Sequence, residues 1–424
     1  MTDTIFALSS GQPPAALAVI RVSGPDASTA LKGIAGSLPA PRQASLRTLR
    51  DREGTELDRA LVLWFPGPAT ATGDDLAELH LHGGRAVVAA VEHALASYPG
   101  LRRAGPGEFT RRAFVNGRID LAEAEGLADL LAAETELQRR QALALASGGL
   151  SAQVNGWRDD VLRAGAQVEA LLDFGDEEDV QSPVEFRSEL SRLQRELAQA
   201  LAAPSAEALR EGYRVVLAGP PNAGKSSLFN RLVEEEAAIT NPLAGTTRDV
   251  LSRPVALGGI PFVFVDTAGL RECTSDQIEA IGIERARGEL ARGDLILWLG
   301  PEGEGGEGHV WEVESFSDQG GGKKLRPRHS VSALSGDGLA GLRDDLIQTA
   351  CGAMPGPNSV ALNKRQHLLL SEAHYALAEA TASTDILITA EALRVARSAF
   401  DRLLGRAATE DMLDALFGRF CIGK

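Results

Sequence analysis

Apolar and polar positions along this 424-residue chain change period several times. Ala16–Gly24 (ALAVIRVSG) and Arg59–Gly67 (RALVLWFPG) are β-branched apolar runs closed by glycine, the pattern of strands. Glu78–Gly84 (ELHLHGG) alternates and then turns, and Gly83–Ser97 takes up helical spacing. From Thr4 to about Arg112 the chain therefore reads as mixed α/β. From about Asn116 it turns helical: Leu121, Leu127, Leu130, Leu131, Leu137 and Leu145 form a rough stripe. Helix continues to about Ala202, interrupted by the acidic run Asp173–Asp179, which reads as a solvated linker. Tyr213–Gly219 (YRVVLAG) restores strand, and α/β character lasts to roughly Ile347. The remainder is helical again, with Leu393, Ala396, Phe400 and Leu403 on one face. Helix on both sides of an α/β block predicts an insertion. The expected layout is an N-terminal α/β domain (1–115), a helical domain made from 116–210 and 349–424, and an inserted α/β domain (211–348).

Composition fits a protein of several globular domains, with 44% hydrophobic and 24% charged residues. A net charge of −15 argues against wholesale electrostatic coating of nucleic acid, although a local basic patch remains open. Cys273, Cys351 and Cys421 are widely spaced and odd in number, which points to a reduced, cytoplasmic setting. No run of about 18 apolar residues occurs, so neither a membrane span nor a signal peptide is expected. Gly300–His309 is glycine-rich and acidic and reads as a flexible loop.

The strongest chemical motif is GPPNAGKSS (Gly219–Ser227). It satisfies G-x-x-x-x-G-K-S/T with Gly219, Gly224, Lys225 and Ser226, between a predicted strand and a predicted helix. Glycines let backbone N–H groups approach phosphates, and a helix N-terminus adds favourable partial charge. Lys225 would reach the β and γ phosphates and Ser226 would bind Mg²⁺. Downstream, Phe262–Leu270 (FVFVDTAGL) is a buried strand ending in Asp266, an acid suited to the Mg²⁺ shell, with Gly269 near the γ-phosphate. Thr240–Asp249 (TNPLAGTTRD) offers Thr247 as a second Mg²⁺ hydroxyl. His80 and His82 alternate on a strand, but nothing completes a metal ligand set.

These pieces, with Ser332–Leu334 (SAL), resemble the translation-factor-like branch of P-loop GTPases. Gly107–Leu130 (GEFTRRAFVNGRIDLAEAEGLADL) and the terminal Phe420–Lys424 (FCIGK) narrow the resemblance to the tRNA-modification GTPase family MnmE (TrmE). It covers nearly the whole chain. The resemblance implies a multidomain α/β plus all-α protein with a folate-binding N-terminal domain, a discontinuous helical domain and an inserted Ras-like P-loop domain. It implies a homodimer built on the N-terminal domain, with formyl-tetrahydrofolate bound there. It also implies a flavin-dependent partner, MnmG (GidA). Together they would build a carboxymethylaminomethyl-type group on C5 of the wobble uridine of certain tRNAs. GTP hydrolysis would drive pairing of the nucleotide domains in the presence of K⁺.

Site roles follow residue by residue. The implied nucleotide site comprises Asn222, Ala223, Gly224, Lys225, Ser226, Ser227, Asn241, Leu243, Thr246, Thr247, Asp266, Thr267, Ala268, Gly269, Asp318, Ser332 and Ala333. Within it, Ser226 and Thr247 would hold Mg²⁺, and Asn222, Asn241, Leu243 and Thr246 would hold K⁺. A monovalent cation there can stabilise charge on the phosphoryl oxygens. Glu279 matches the family's catalytic glutamate, which orients the attacking water. Arg21, Glu78, Arg118 and Lys424 match folate-contacting positions, where a carboxylate accepts pterin N–H groups and arginine pairs with a glutamate tail. The family commonly has lysine where Arg118 stands. Cys421 takes a role in the modification chemistry, which requires its thiolate.

One motif departs from the pattern. Most GTPases of this class read guanine with N-K-x-D; here the match is Ser315-Phe316-Ser317-Asp318. Asp318 keeps the carboxylate that accepts two guanine N–H donors. Loss of the other contacts costs about 1–3 kcal/mol of discrimination, and Phe316 could cover the base by stacking. The chain either hydrolyses GTP with weakened guanine selectivity or has relaxed toward other nucleotides. Two further functions compete with tRNA modification: an RNA- or ribosome-associated switch GTPase without covalent chemistry, and a folate-dependent enzyme with a regulatory nucleotide domain. Arg102, Arg103, Arg111, Arg112 and Arg118 are candidates for tRNA phosphates or for a solvated face. Competition of ATP and XTP against GTP separates the two selectivity readings. GTP is expected to bind more tightly than both, and equal affinity for ATP would remove the guanine assignment.

Overall fold

The structure is a computed structural model that describes residues 3–174, 183–234, 252–267, 288–320, 324–356 and 361–423. The chain forms two compact units. The first comprises 1–128, 145–156 and 400–424; the second comprises 129–144 and 157–399.

In the first unit, strands β1 (Thr4–Leu8), β2 (Leu17–Ser23), β3 (Ser45–Arg50), β4 (Glu56–Phe65), β5 (Leu76–His82) and β6 (Leu101–Arg103) form one sheet. Its order is β3-β4-β5-β2-β1-β6, parallel only between β1 and β6. Alternation divides the side chains between the two faces. Ile20, Val22, Val62, Trp64, Leu79 and Leu81 point into a core closed by Leu31 and Ile34 of helix Ala27–Ala35 and by Val91 and Leu95 of helix Arg85–Ala96. The opposite face carries Arg21, Glu78 and His80. Ile5 and Ala7 on that side are covered by Phe109 of helix Glu108–Val115. Further along it, Leu17, Leu46 and Leu61 are 63%, 58% and 46% exposed.

Four of the five basic candidates are tied to carboxylates of their own unit. Arg112 is fully buried. It donates to the Asp3 carbonyl at 2.8 Å and the Asp3 carboxylate at 2.9 Å, with Glu108 and Asp74 at 3.5 and 3.6 Å. Arg102 bonds Asp3 at 2.6 Å and Glu108 at 2.8 Å, Arg103 bonds Glu92 at 2.9 Å, and Arg111 bonds Asp414 at 2.8 Å and Glu410. Arg118 is exposed. The patch therefore reads mainly as internal ion pairing, since a buried guanidinium is retained where carboxylates and carbonyls satisfy it.

In the second unit, β7 (Tyr213–Ala218), β8 (Ser252–Leu257), β9 (Ile260–Asp266), β10 (Leu295–Trp298), β11 (Val310–Glu314) and β12 (His329–Ser330) make a sheet of order β12-β11-β10-β7-β9-β8. Only β8 runs antiparallel to its neighbour. Val215, Leu217, Phe262, Phe264 and Trp311 share a core with Leu228 and Leu232 of helix Lys225–Glu234 and Leu342 and Leu346 of helix Leu339–Ala353. Helices Pro183–Leu201 and Lys364–Ala382 pack side by side. An α/β part with helices contributed from both flanking stretches is the expected architecture.

Two local features differ from the sequence pattern. The leucine stripe from Leu121 to Leu145 is not one helix but two, Leu121–Ala132 and Glu136–Ala146. The break is stabilised by Gln138, whose side-chain oxygen accepts the N–H groups of Glu134 and Thr135 at 2.9 Å each. The parallel strands β10 and β11 are joined by residues 299–309 without a helix, where such a crossover usually needs about a dozen residues or more. This loop is pinned rather than loose at Gly303, whose N–H donates to Glu312 at 2.9 Å. Nearby, Lys324 bonds the Trp298 carbonyl at 2.7 Å and Glu312 at 2.5 Å.

Replacing Arg112 with Met should lower the opening free energy of β1 and β2 by about 2–3 kcal/mol, because Asp3 loses its buried partner. Native-state hydrogen exchange on those strands measures this, and an unchanged exchange rate would show the cluster to be dispensable.

Candidate functional site

The phosphate loop starts where β7 ends. Asn222 adopts φ +61 and Gly224 φ +85. The positive φ calls for glycine at 224, and a Cβ there would press to 3.1 Å on the Phe316 ring. Lys225 is buried, with Nζ donating to the carbonyls of Gly219 at 3.0 Å and Pro220 at 2.8 Å. β7 and β9 pair in parallel with Leu217 opposite Asp266. That register brings the Ser226 hydroxyl within 2.6 Å of the Asp266 carboxylate. Thr267 is anchored beside it, its hydroxyl donating to the Leu217 carbonyl at 2.8 Å. An exposed hydroxyl beside a buried carboxylate at the start of a helix is an all-oxygen donor set, which suits a hard divalent cation.

A cleft of about 430 Å³ adjoins the loop, within the usual range of small-molecule sites. Gly224, Ser227, Phe316, Asp318, Ser332 and Ala333 are among its lining residues. Ser332 shapes one wall: its hydroxyl accepts the N–H groups of Leu334 at 3.2 Å and Ser335 at 3.1 Å. The structure thus brings Asn222, Ala223, Gly224, Lys225, Ser226, Ser227, Asp266, Thr267, Asp318, Ser332 and Ala333 to one end of one sheet. Asn241, Leu243, Thr246, Thr247, Ala268, Gly269, Glu279 and Lys424 lie outside the described residues.

In the first unit, Arg21 and Glu78 face each other across β2 and β5 and bond at 2.9 Å. His80 approaches the other Glu78 oxygen at 3.1 Å. Burial alone would raise the Glu78 pKa, but hydrogen bonds from His80 and Arg21 and the arginine charge hold it below the ordinary 4.5. Arg118 packs against Gly73. The turn around Gly73 is in turn tied to β2 by the Ser23–Thr72 hydroxyl contact at 2.7 Å. His82 pairs with Asp58 at 2.7 Å.

Comparison with known proteins now bears on the whole chain. A family model described as "MnmE helical domain" matches residues 121–421, and one described as "GTP-binding protein TrmE N-terminus" matches 4–118. The protein named tRNA modification GTPase MnmE of Novosphingobium aromaticivorans is 60% identical over 437 residues, covering all of both chains. The like-named protein of Erythrobacter litoralis is 61% identical over 425 residues, again covering all of both. The chain belongs to the tRNA modification GTPase family MnmE. A solved GTP-binding protein of Sulfolobus solfataricus in complex with GDP matches 46% of this chain and 67% of its own, at 15% identity and a TM-score of 0.24.

The MnmE-family tail is clipped onto the first unit. Helix Glu410–Phe417 ends at Gly418. Phe417 and Phe420 then pack with Leu121, Ala124 and Phe114. Beyond them the Cys421 backbone carbonyl accepts the Gly107 N–H at 3.4 Å, and Ile422 bridges Pro106 in antiparallel fashion. Gly107, at φ +63, admits no side chain because a Cβ would fall 2.3 Å from the Phe417 carbonyl oxygen. The Cys421 thiol is free and exposed. Pro106, Gly107 and Arg111, which hold the tail, carry no sign of that role in the sequence beyond the Gly105-Pro106-Gly107 triplet, a turn marker.

Because Glu78 titrates below its unfolded value, its bonds stabilise the first unit above about pH 4.5. That stability is lost as pH falls through the lower folded value. A Glu78→Gln variant should therefore lose less stability than wild type between pH 6 and pH 3, read as urea midpoints. Parallel slopes for the two proteins would refute the assignment.

Proposed function

We propose that this chain hydrolyses GTP in the service of covalent modification of the wobble uridine of certain tRNAs. The observation that carries the reading is the coexistence of two sites in one chain. One is the Lys225, Ser226 and Asp266 cluster at the phosphate loop. The other is the Arg21–Glu78 pair in the same unit as the docked tail with its exposed Cys421 thiol. A pure RNA switch would need a free basic surface, whereas Arg102, Arg103, Arg111 and Arg112 are already ion-paired.

In this reading Ser226 and Thr247 would hold Mg²⁺, with Asp266 reaching its shell through water, and the ion would neutralise charge on the phosphates. Asn222, Asn241, Leu243 and Thr246 hold K⁺, and Glu279 orients the attacking water. Lys225 balances phosphate charge, and its burial keeps it from solvent. Arg21, Glu78, Arg118 and Lys424 hold formyl-tetrahydrofolate, with Glu78 accepting ring N–H groups and the arginines pairing with the acid tail. The partner is MnmG (GidA), and the target group is of the carboxymethylaminomethyl type at C5. The exposed leucines Leu17, Leu46 and Leu61 support self-association of the N-terminal domain into a homodimer. Free, exposed Cys351 and Cys421 suit a reduced, cytoplasmic setting. The domain layout is 1–115, 116–210 with 349–424, and 211–348.

A paired experiment tests this. Lys225→Ala should abolish both phosphate release from GTP and wobble-uridine modification seen by mass spectrometry of tRNA nucleosides. Cys421→Ser should abolish modification while GTP hydrolysis stays within about twofold of wild type, because the thiol acts only in the second chemistry. Normal uridine in the Lys225→Ala strain rejects the reading, and joint loss in Cys421→Ser makes that cysteine structural.

A further inference from the structure

The two residues that depart from the guanine-reading pattern both touch the phosphate loop. Ser315 Oγ donates to the Ala223 carbonyl at 2.7 Å. A short donor–acceptor contact of this kind joins the end of β11 to the loop after β7, across 92 residues of chain. Phe316 adopts φ +62, a region that bulky L-residues avoid. Such a conformation persists only where the surroundings over-determine it, and it gathers at ligand-handling sites. Here the next residue is fixed by the Ser317 N–H, which donates to the Val331 carbonyl at 3.2 Å. The Phe316 ring rests against Gly224, lines the cleft that Asp318 and Ala333 also line, and remains 42% exposed. An aromatic ring held in a strained backbone state and left half-open beside an exposed carboxylate offers a nucleobase a stacking surface and an acceptor together.

We propose that Ser315 and Phe316 divide two tasks. Ser315 is a positioning residue that holds the phosphate loop through Ala223. Phe316 is a base-binding residue that supplies stacking for a purine base, so base affinity in this chain rests on the ring and on Asp318. This deepens the reading of the cleft as a guanine-nucleotide site and rests on it. Stacking is indifferent to the exocyclic groups of the base, whereas Asp318 is not. The ring therefore contributes equally to GDP and IDP binding, and the 2-amino group matters only through Asp318.

Calorimetric titration of the full chain with GDP, IDP and inorganic tripolyphosphate separates the tasks. Phe316→Leu should weaken GDP and IDP by one common factor, on the order of 5- to 100-fold, as loss of base–aromatic stacking does. It should leave tripolyphosphate unchanged, and Phe316→Tyr should restore both nucleotides. Ser315→Ala should weaken all three ligands by about 2- to 10-fold, the effect of one lost hydrogen bond on the loop. Equal weakening of tripolyphosphate and GDP in Phe316→Leu, or no weakening of GDP, would overturn the role of the ring. Unchanged tripolyphosphate binding in Ser315→Ala would overturn that of the hydroxyl. Failure of the wild-type chain to bind GDP while it binds tripolyphosphate would instead remove the guanine-nucleotide reading itself.

Discussion

The parallel pairing that sets Leu217 of β7 opposite Asp266 of β9 is the constraint on which the nucleotide unit depends. Both strands are buried through Val215, Val216 and Leu217 and through Phe262, Phe264 and Val265, so their register is specified by packing. A slip of one residue would turn every side chain to the other face. It would also carry Asp266 away from Ser226, which it meets at 2.6 Å. The oxygen pair suited to a divalent cation is thus a product of hydrophobic packing in the strands beneath it. The helix that begins at Lys225 follows from the same arrangement, since Leu228 and Leu232 anchor it on those strands.

The first unit solves a similar problem with an antiparallel sheet. Alternation sends Ile20, Val22 and Leu79 into the core, which leaves Arg21 and Glu78 no choice but the other face. Their direct opposition makes each the other's partner and leaves the second Glu78 oxygen to His80. Carboxylates also organise the far edge, where Asp3 and Glu108 are shared between Arg102 and the buried Arg112. The docked tail uses the same helix: Arg111 of Glu108–Val115 holds Asp414 and Glu410, while Gly107 at its start admits the Phe417 carbonyl.

The parts of this arrangement that were legible in the sequence are contiguous ones. The phosphate loop carries its glycines, lysine and serine in a single stretch, and the strand ending in Asp266 is an unbroken apolar run. The tail motif, and Arg21 and Glu78 as separate positions, were singled out through resemblance; their pairing was not, because nothing local ties residues 57 positions apart. What escaped has a physical cause in each case. β6 is Leu101-Arg102-Arg103, too short and too polar to show alternation, and it forms only because β1 offers a free edge. Arg112 carries the residue type most expected at the surface, and only the fold reveals the carboxylates around it. The break at Thr135 lies inside a continuous leucine stripe, where periodicity outweighs a capping side chain. The Ser315–Ala223 bond is a long-range contact between two loops, with no imprint on either segment alone.

Charge gives the family assignment a constraint of its own. The chain carries a net −15, and four of the arginines nearest the first unit's edge are neutralised by carboxylates of that unit. Attraction to a polyanion by counterion release grows with the number of phosphates neutralised by unpaired cations. Among the described residues at this edge, Arg118 is exposed and makes no ion pair, so that term is small here. Selection of an RNA substrate by such a surface must then rest on shape and on individual contacts to unstacked bases rather than on a broad electrostatic field. Affinity for the backbone at large would favour every wrong site equally, so such a surface leaves discrimination to those individual contacts.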